Sequence, residues 1–258
     1  DALHTHEEFL FHSRLSFALN TKIFSPKTVV NEAITYYENH SLEIDISQIE
    51  GFVRQVLGWR EYMRGVYWKE MPAYAQFNKL ENQNKLPNFY WTGDTKMNCL
   101  AVSIKNSLNN AYSHHIQRLM ITGNFALLAQ VHPEQVDQWY LGIYIDALEW
   151  VEITNTRGMS QFADGGIIAT KPYVSSASYI HKMGDYCEKC SYNRNKRTGE
   201  DACPFNSLYW NFLDDKKEYL KNNHRMGMMY NLLSRIPEEE LKQLKERANR
   251  VIKNPDLF

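Results

Sequence analysis

Apolar residues recur at three-and-four spacing along most of the chain, the mark of helices with one buried face. The clearest stripe runs from Ile49 to Trp68, "IEGFVRQVLGWREYMRGVYW", and predicts a long amphipathic helix. "SPKTVVNEAITYYENH" opens with Ser25 and Pro26, a cap residue followed by a first-turn proline, and predicts another. Residues 97–131, "MNCLAVSIKNSLNNAYSHHIQRLMITGNFALLAQV", predict one or two amphipathic helices. Residues 132–150 predict one more, opened by His132, Pro133 and Glu134. The tail "PEEELKQLKERANRVIKN" reads as an exposed helix with Glu-to-Lys pairs four apart. Two stretches keep no period: residues 79–94, which are polar with Pro and Gly, and residues 154–203. Strand alternation never persists, and there is no internal repeat or low-complexity tract. The predicted class is all-α, with functional loops between helices.

At 258 residues the chain can bury a real core, as one large domain or two smaller ones. A formal net charge of −1 gives no bulk attraction to nucleic acid or membrane, so any basic surface must be local. No apolar run reaches the roughly 18 residues of a membrane span, and no secretory pattern opens the chain. Four cysteines are too few for a secreted disulfide scaffold. A reducing, cytoplasmic setting is expected, where clustered cysteines bind metal more often than they pair. "DALHTHEEFLFHSRLS" enters a helical pattern without an initiator Met, as the C-terminal part of a longer protein or a trimmed terminus would. Aromatics reach 13%, with 16 Tyr and 6 Trp. Most are expected to fill core and surface, but such rings also stack on flat ligands and nucleobases.

The cysteines carry the first chemistry. Cys187 and Cys190 form C-x2-C, and Cys203 follows after twelve residues, directly before Pro204. Two thiolates on one tight turn reach the same ion or cluster, and a third returning from a loop closes another position. Cys99, far upstream, completes four, which suits tetrahedral zinc or a [4Fe–4S] cube. The loop has no His at ligand spacing, and a Cys-Pro step is common in ferredoxin-type runs, both of which lean toward iron–sulfur. Spacing alone leaves the two nearly even.

Three further motifs stand in order. "SRLSFALNTKIFSP", Ser13 to Pro26, places hydroxyls around Arg14 at a helix start, where a phosphate can be held or an ordinary cap formed. "GWREYMR" spans Gly58 to Arg64, and "HHIQRLM" spans His114 to Met120. Together these resemble the photolyase/cryptochrome flavoproteins. Their FAD-diphosphate loop reads S-R-L-S-x-x-L and ends in S-P, their signature reads W-R-E-[FY], and the (6-4) photolyases carry His-His-x-x-Arg. The cysteine pattern is similar to that of the iron–sulfur bacterial members. The resemblance covers essentially the whole chain, but only the C-terminal helical half of such a protein.

The resemblance implies a helical FAD-binding catalytic domain over residues 1–170. It implies a C-terminal iron–sulfur region over residues 171–258, packed on the first and completed by Cys99. The full-length protein would add an N-terminal α/β antenna domain with a ribityllumazine-type chromophore. Ser13, Arg14, Leu15 and Ser16 match the phosphate loop, and Arg60 matches a flavin-contacting Arg. Arg118 and Asp146 match a pair beside the isoalloxazine and ribityl chain; by themselves they read as an ordinary ion pair, which burial would favour. Glu152 stands where ordinary photolyases place an Asn facing flavin N5. This departure offers a carboxyl able to exchange a proton there. His114 and His115 match the lesion-facing histidines, the proton donors after electron injection. Tyr173 and Trp59 would face the flipped lesion, and Lys171 a phosphate. Trp139, Trp91, Tyr179 and Tyr140 match the aromatic electron relay; Trp68, Trp150 and Trp210 are assigned to core packing. Lys171, Lys182, Lys189, Arg194, Lys196 and Arg197 form either a local phosphate-facing patch or a solvated basic loop. The implied function is light-driven repair of (6-4) photoproducts in UV-damaged DNA by a monomer. A blue-light photoreceptor with the same cofactors is the alternative, and an iron–sulfur DNA-binding module without photochemistry is a third.

Overall fold

The computed structural model describes residues 3–258 and is all-α. Its helices are α1 Ser16–Asn20, α2 Pro26–Asn39, α3 Ile46–Leu57, α4 Met63–Glu70, α5 Asn98–Asn110, α6 Asn124–Leu128 and α7 Pro133–Ile143. They continue with α8 Glu149–Ile153, α9 Ala177–Met183, α10 Pro204–Asp215, α11 Lys217–Leu220, α12 Gly227–Leu233 and α13 Glu238–Lys253. Strand pairing among the described residues is confined to isolated bridges such as Asn84 with Val131. No helix among them is long and apolar enough to cross a membrane.

The predicted helices exist, with instructive breaks. The Ser25 hydroxyl accepts from Thr28 N at 3.0 Å and starts α2 as its cap. The stripe from Ile49 to Trp68 is interrupted by a π-helical segment, Gly58–Tyr62, between α3 and α4. Residues 97–131 divide into α5, a bend ending at His114 and His115, a π-helical segment Gln117–Gly123, and α6. Residues 132–150 divide into α7 and the start of α8, because the backbone turns extended at Tyr144. A third π-helical segment, Thr154–Ser160, and helix α9 lie within the stretch that shows no period. Each is only 7 residues long, too short to show a period.

One continuous hydrophobic core runs from Leu100 and Ile104 of α5 through Phe125 and Trp139 to Phe205, Leu208 and Val251. Helix α10 is its axle: every residue from Pro204 to Leu213 is buried, and α13 packs along it. The tail helix is therefore a half-buried core element, not an exposed one; Leu244, Arg247, Ala248 and Val251 face inward. Trp210 is buried as expected, and Trp150 is half-buried beneath Arg60. Trp68 is 70% exposed and contributes to no core. Its ring meets Tyr67 edge-on at 5.3 Å at the end of the stripe, with no second layer to cover it.

Candidate functional site

The three π-helical segments converge on one cavity of about 330 Å³, within the range of small-molecule sites. Gly58–Tyr62 contributes Trp59 and Arg60, Gln117–Gly123 contributes Arg118 and Leu119, and Thr154–Ser160 contributes Asn155, Thr156, Met159 and Ser160. A π turn widens the helix and re-aims side chains, and such turns concentrate at functional sites. Close approach demands a small residue where two of these segments meet. A Cβ on Gly123 would lie 2.2 Å from Ser160 Oγ and 2.7 Å from the Arg118 carbonyl oxygen.

Of the FAD candidates, Ser13, Leu15, Ser16, Arg60, Arg118, Asp146 and Glu152 all line the cavity, and Trp59, His115 and Tyr140 join them. Arg14 is exposed, with its guanidinium 4.3 Å from the Phe9 ring centre rather than on the cavity wall. Arg118 grips Asp146 with two hydrogen bonds, Nη1 to Oδ1 at 2.9 Å and Nη2 to Oδ2 at 3.1 Å. The Tyr144 ring lies 3.9 Å beneath the same guanidinium. Arg60 donates to Asn20 Oδ1 at 2.7 Å and to the Leu19 carbonyl at 2.8 Å. Asn20 in turn donates to the Asp146 carbonyl at 2.7 Å. Asn20 thus stitches the Ser13–Ser16 loop to both arginine sites. Sequence reasoning missed it, because a lone Asn has no signature.

Glu152 is buried, and its Oε1 has no hydrogen-bond partner. Burial and the neighbouring Asp137 push its carboxyl well above the ordinary range, which favours its protonated form. A cavity with an Arg–Asp clasp, hydroxyl-bearing turns and a carboxyl with one unpartnered oxygen suits a polar ligand with an anionic part.

Of the two predicted histidines, His115 lines the cavity and His114 does not. His114 is buried, with both ring nitrogens unpartnered, and stacks on His12 at 4.8 Å and 4°. His115 meets Trp59 edge-on at 4.7 Å. Burial above all, then the neighbouring imidazoles and Arg118, lower His114 to about 3 and His115 to about 4. Both are neutral at pH 7, so either becomes a proton donor only where an anion beside it offsets Arg118. Tyr173 is half-buried against the core, and Lys171 is half-buried; neither lines the cavity.

The relay candidates divide. Tyr140 sits on the cavity wall and touches Trp139 at 5.3 Å, and Trp139 touches Tyr90 at 5.1 Å. Trp139 also donates to the Tyr90 carbonyl at 3.0 Å. Tyr144 closes the group at 5.3 Å from Tyr140 and 5.7 Å from Trp139. Trp91 is 58% exposed beside Tyr90, and Tyr179 is half-buried on α9. Tyr90 and Tyr144, which tie the rings together, were not singled out from sequence; both read there as ordinary core aromatics.

The cysteines gather elsewhere. Cys99 and Cys203 are buried, and Cys187 and Cys190 are half-buried. Burial raises the Cys99 thiol well above its usual value, and the other three cysteines raise it further. All four are therefore electrostatic neighbours. Among the described residues no three His, Cys, Asp or Glu side chains close to single-ion spacing. Zinc, with Zn–S near 2.3 Å, would draw four sulfurs within about 4 Å of each other; a four-iron cube holds its thiolates wider. The surrounding loop is anchored independently of any metal. Asn98 donates to the Tyr186 carbonyl at 2.8 Å, and Asn206 donates to the carbonyls of Arg194 and Lys196. Arg247 of α13 donates to the Ala202 carbonyl at 2.5 Å. In the basic stretch, Lys196 pairs with Asp201 and Arg197 with Glu240, which neutralises part of the expected patch.

The chain is 48% identical over 256 residues to a (6-4) photolyase of Agrobacterium fabrum, covering 99% of this chain and 50% of that protein. The chain belongs to the bacterial iron–sulfur photolyase/cryptochrome family. It spans about half the length of that photolyase and corresponds to its C-terminal half. Two uncharacterised proteins of Acanthamoeba polyphaga mimivirus match parts of this photolyase-family chain. One is 30% identical over 132 residues, 51% of this chain and 100% of its own length; the other is 27% identical over 113 residues, 44% and 85%. No family profile matches the chain.

Proposed function

We propose that this chain is the flavin-binding catalytic half of a DNA photolyase of the (6-4) class. The observation that carries the reading is convergence: residues from Ser13 to Glu152 and three π-helical segments meet in one cavity. Ser13, Ser16, Arg60, Arg118, Asp146 and Glu152 would hold FAD, and a reduced flavin there would supply light-driven one-electron transfer. The protein's share is placement and protons. Arg118 and Asp146 neutralise each other and present a fixed dipole to the ligand, and Glu152 keeps a proton facing the cavity. A flipped-out base pair lesion would enter against Trp59 and His115, with Tyr173 and Lys171 further out. A DNA phosphate or a negatively charged lesion beside His115 would raise its imidazole and let it donate. Tyr140 and Trp139 offer a ring path away from the cavity into the core.

Cys99, Cys187, Cys190 and Cys203 would hold a [4Fe–4S] cluster that staples α5 to the loop before α10. None of the four lines the cavity, which favours a structural role over a catalytic one.

The test uses the full-length protein. It should purify with flavin absorption and a broad iron–sulfur shoulder, and after reduction it should repair (6-4) DNA under blue light. A colourless protein refutes the reading. Bound flavin without light-dependent repair would assign the chain to blue-light sensing instead.

A further inference from the structure

Behind Glu152 lies a second buried carboxyl that the proposed function does not use. Asp137 of α7, Glu152 of α8 and Arg157 of the third π-helical segment are 8%, 6% and 4% exposed. Arg157 holds Asp137 Oδ2 from two sides, Nε at 2.8 Å and Nη2 at 2.6 Å, and spends Nη1 on the Phe77 carbonyl at 3.0 Å. Asp137 Oδ1 and Glu152 Oε1 are both without hydrogen-bond partners. Two buried carboxyls therefore share one guanidinium, and ionising both would leave a net negative charge in a low-dielectric interior. The groups facing Glu152 are Asp137, Arg157, Glu149, Thr156 and Tyr140; those facing Asp137 are Arg157, Glu134, Glu152 and Tyr74. Burial pushes Asp137 up to about 7, with Arg157 opposing that rise, and pushes Glu152 well above its ordinary range. Arg157 contacts Asp137 directly and reaches Glu152 only through space, so the shared proton belongs on Glu152.

We infer that Asp137 and Arg157 are a positioning pair: by engaging Arg157, Asp137 keeps the proton on Glu152, where it faces the cavity. The inference deepens the proposed function and rests on it for the use of that proton, but not for its location. The bookkeeping of charge is simple. When Glu152 passes its proton to a base in the cavity, its carboxylate stays behind, and Asp137, ionised against Arg157, opposes that loss until a proton returns.

Infrared spectroscopy of the full-length protein at pH 8 reads this without light or lesion. The protonated-carboxyl band that disappears in Glu152→Gln belongs to Glu152. It should be present in the wild type and fall at least fivefold in Asp137→Asn, where Arg157 is released toward Glu152. It should return in the double variant Asp137→Asn with Arg157→Gln, where burial alone acts. Arg157→Gln by itself should add a second protonated-carboxyl band, from Asp137, which serves if Asp137→Asn does not fold. A Glu152 band unchanged in Asp137→Asn, or no second band in Arg157→Gln, overturns the inference. Either failure would leave light-driven repair untouched, whereas loss of repair with the bands behaving as described would count against the proposed function alone.

Discussion

The helical stretch around the cavity and the α10–α13 core are built from opposite materials. Helix α10 is regular, and its buried residues run unbroken from Pro204 to Leu213. Around the cavity the helices break into π turns, and Glu152 and His114 carry buried atoms without partners. Helix α3, which borders the cavity through Phe52, Gln55 and Val56, and helix α2 beside it bury no residue at all. Regular helices packed on all sides supply stability. Irregular ones, held by ion pairs and short polar contacts, hold side chains in place for chemistry at a cost in stability that the core offsets.

The sharpest way to break this contrast is to remove one half of a buried clasp. Asp146→Ala should cost about 3–5 kcal/mol in urea unfolding by leaving Arg118 uncompensated, and should abolish flavin retention. Asp146→Asn should restore part of the stability but not the flavin. In the regular core, Leu208→Ala is expected to cost about 2–5 kcal/mol, since Leu208 is fully buried. Ile46→Ala on exposed α3 should stay within about 0.5 kcal/mol. Equal effects at Leu208 and Ile46 would dissolve the comparison. Gly123→Ala should cost about 1–3 kcal/mol through overpacking and should shrink flavin occupancy more than an equally destabilising change in α10.

A further expected effect is a slope. His114 is held at about 3 when folded and returns to its ordinary 6.5 when unfolded. Below 6.5 the unfolded chain takes a proton that the folded chain refuses. The stability tied to a neutral His114 is thus complete above pH 6.5 and lost as pH falls, by about 1.4 kcal/mol per pH unit, down to about pH 3. His114→Leu should remove that share, so its unfolding free energy should gain on the wild type between pH 6.5 and 4.5. A constant difference across that range would show that His114 is not held neutral. Glu152 and Asp137 act in the opposite direction, which is why the difference between proteins, not either curve alone, carries the test.

Much of the site was legible because local chemistry demands recognisable residues. Ser13, Leu15, Ser16, Trp59, Arg60, His115 and Arg118 belong to motifs and Asp146 and Glu152 follow from the family resemblance, and these residues do meet, whereas Arg14 and His114 do not line the cavity. Asn20, Tyr90, Tyr144, Asp137 and Arg157 were not legible. Each works through a single contact with a residue distant in sequence, and such contacts leave no spacing to read. The π turns were equally hidden, since Gly58–Tyr62 keeps an apolar stripe that an ordinary helix would show.

What the sequence by itself determined is the helical class, the caps such as Ser25, and the residue types that flavin and iron–sulfur chemistry would need. Those follow from periodicity and from the few side chains able to do each job. Only the tertiary structure decided in which direction each buried carboxyl and imidazole is shifted. That depends on burial and on charges brought close by packing, and neither is a local property of the chain.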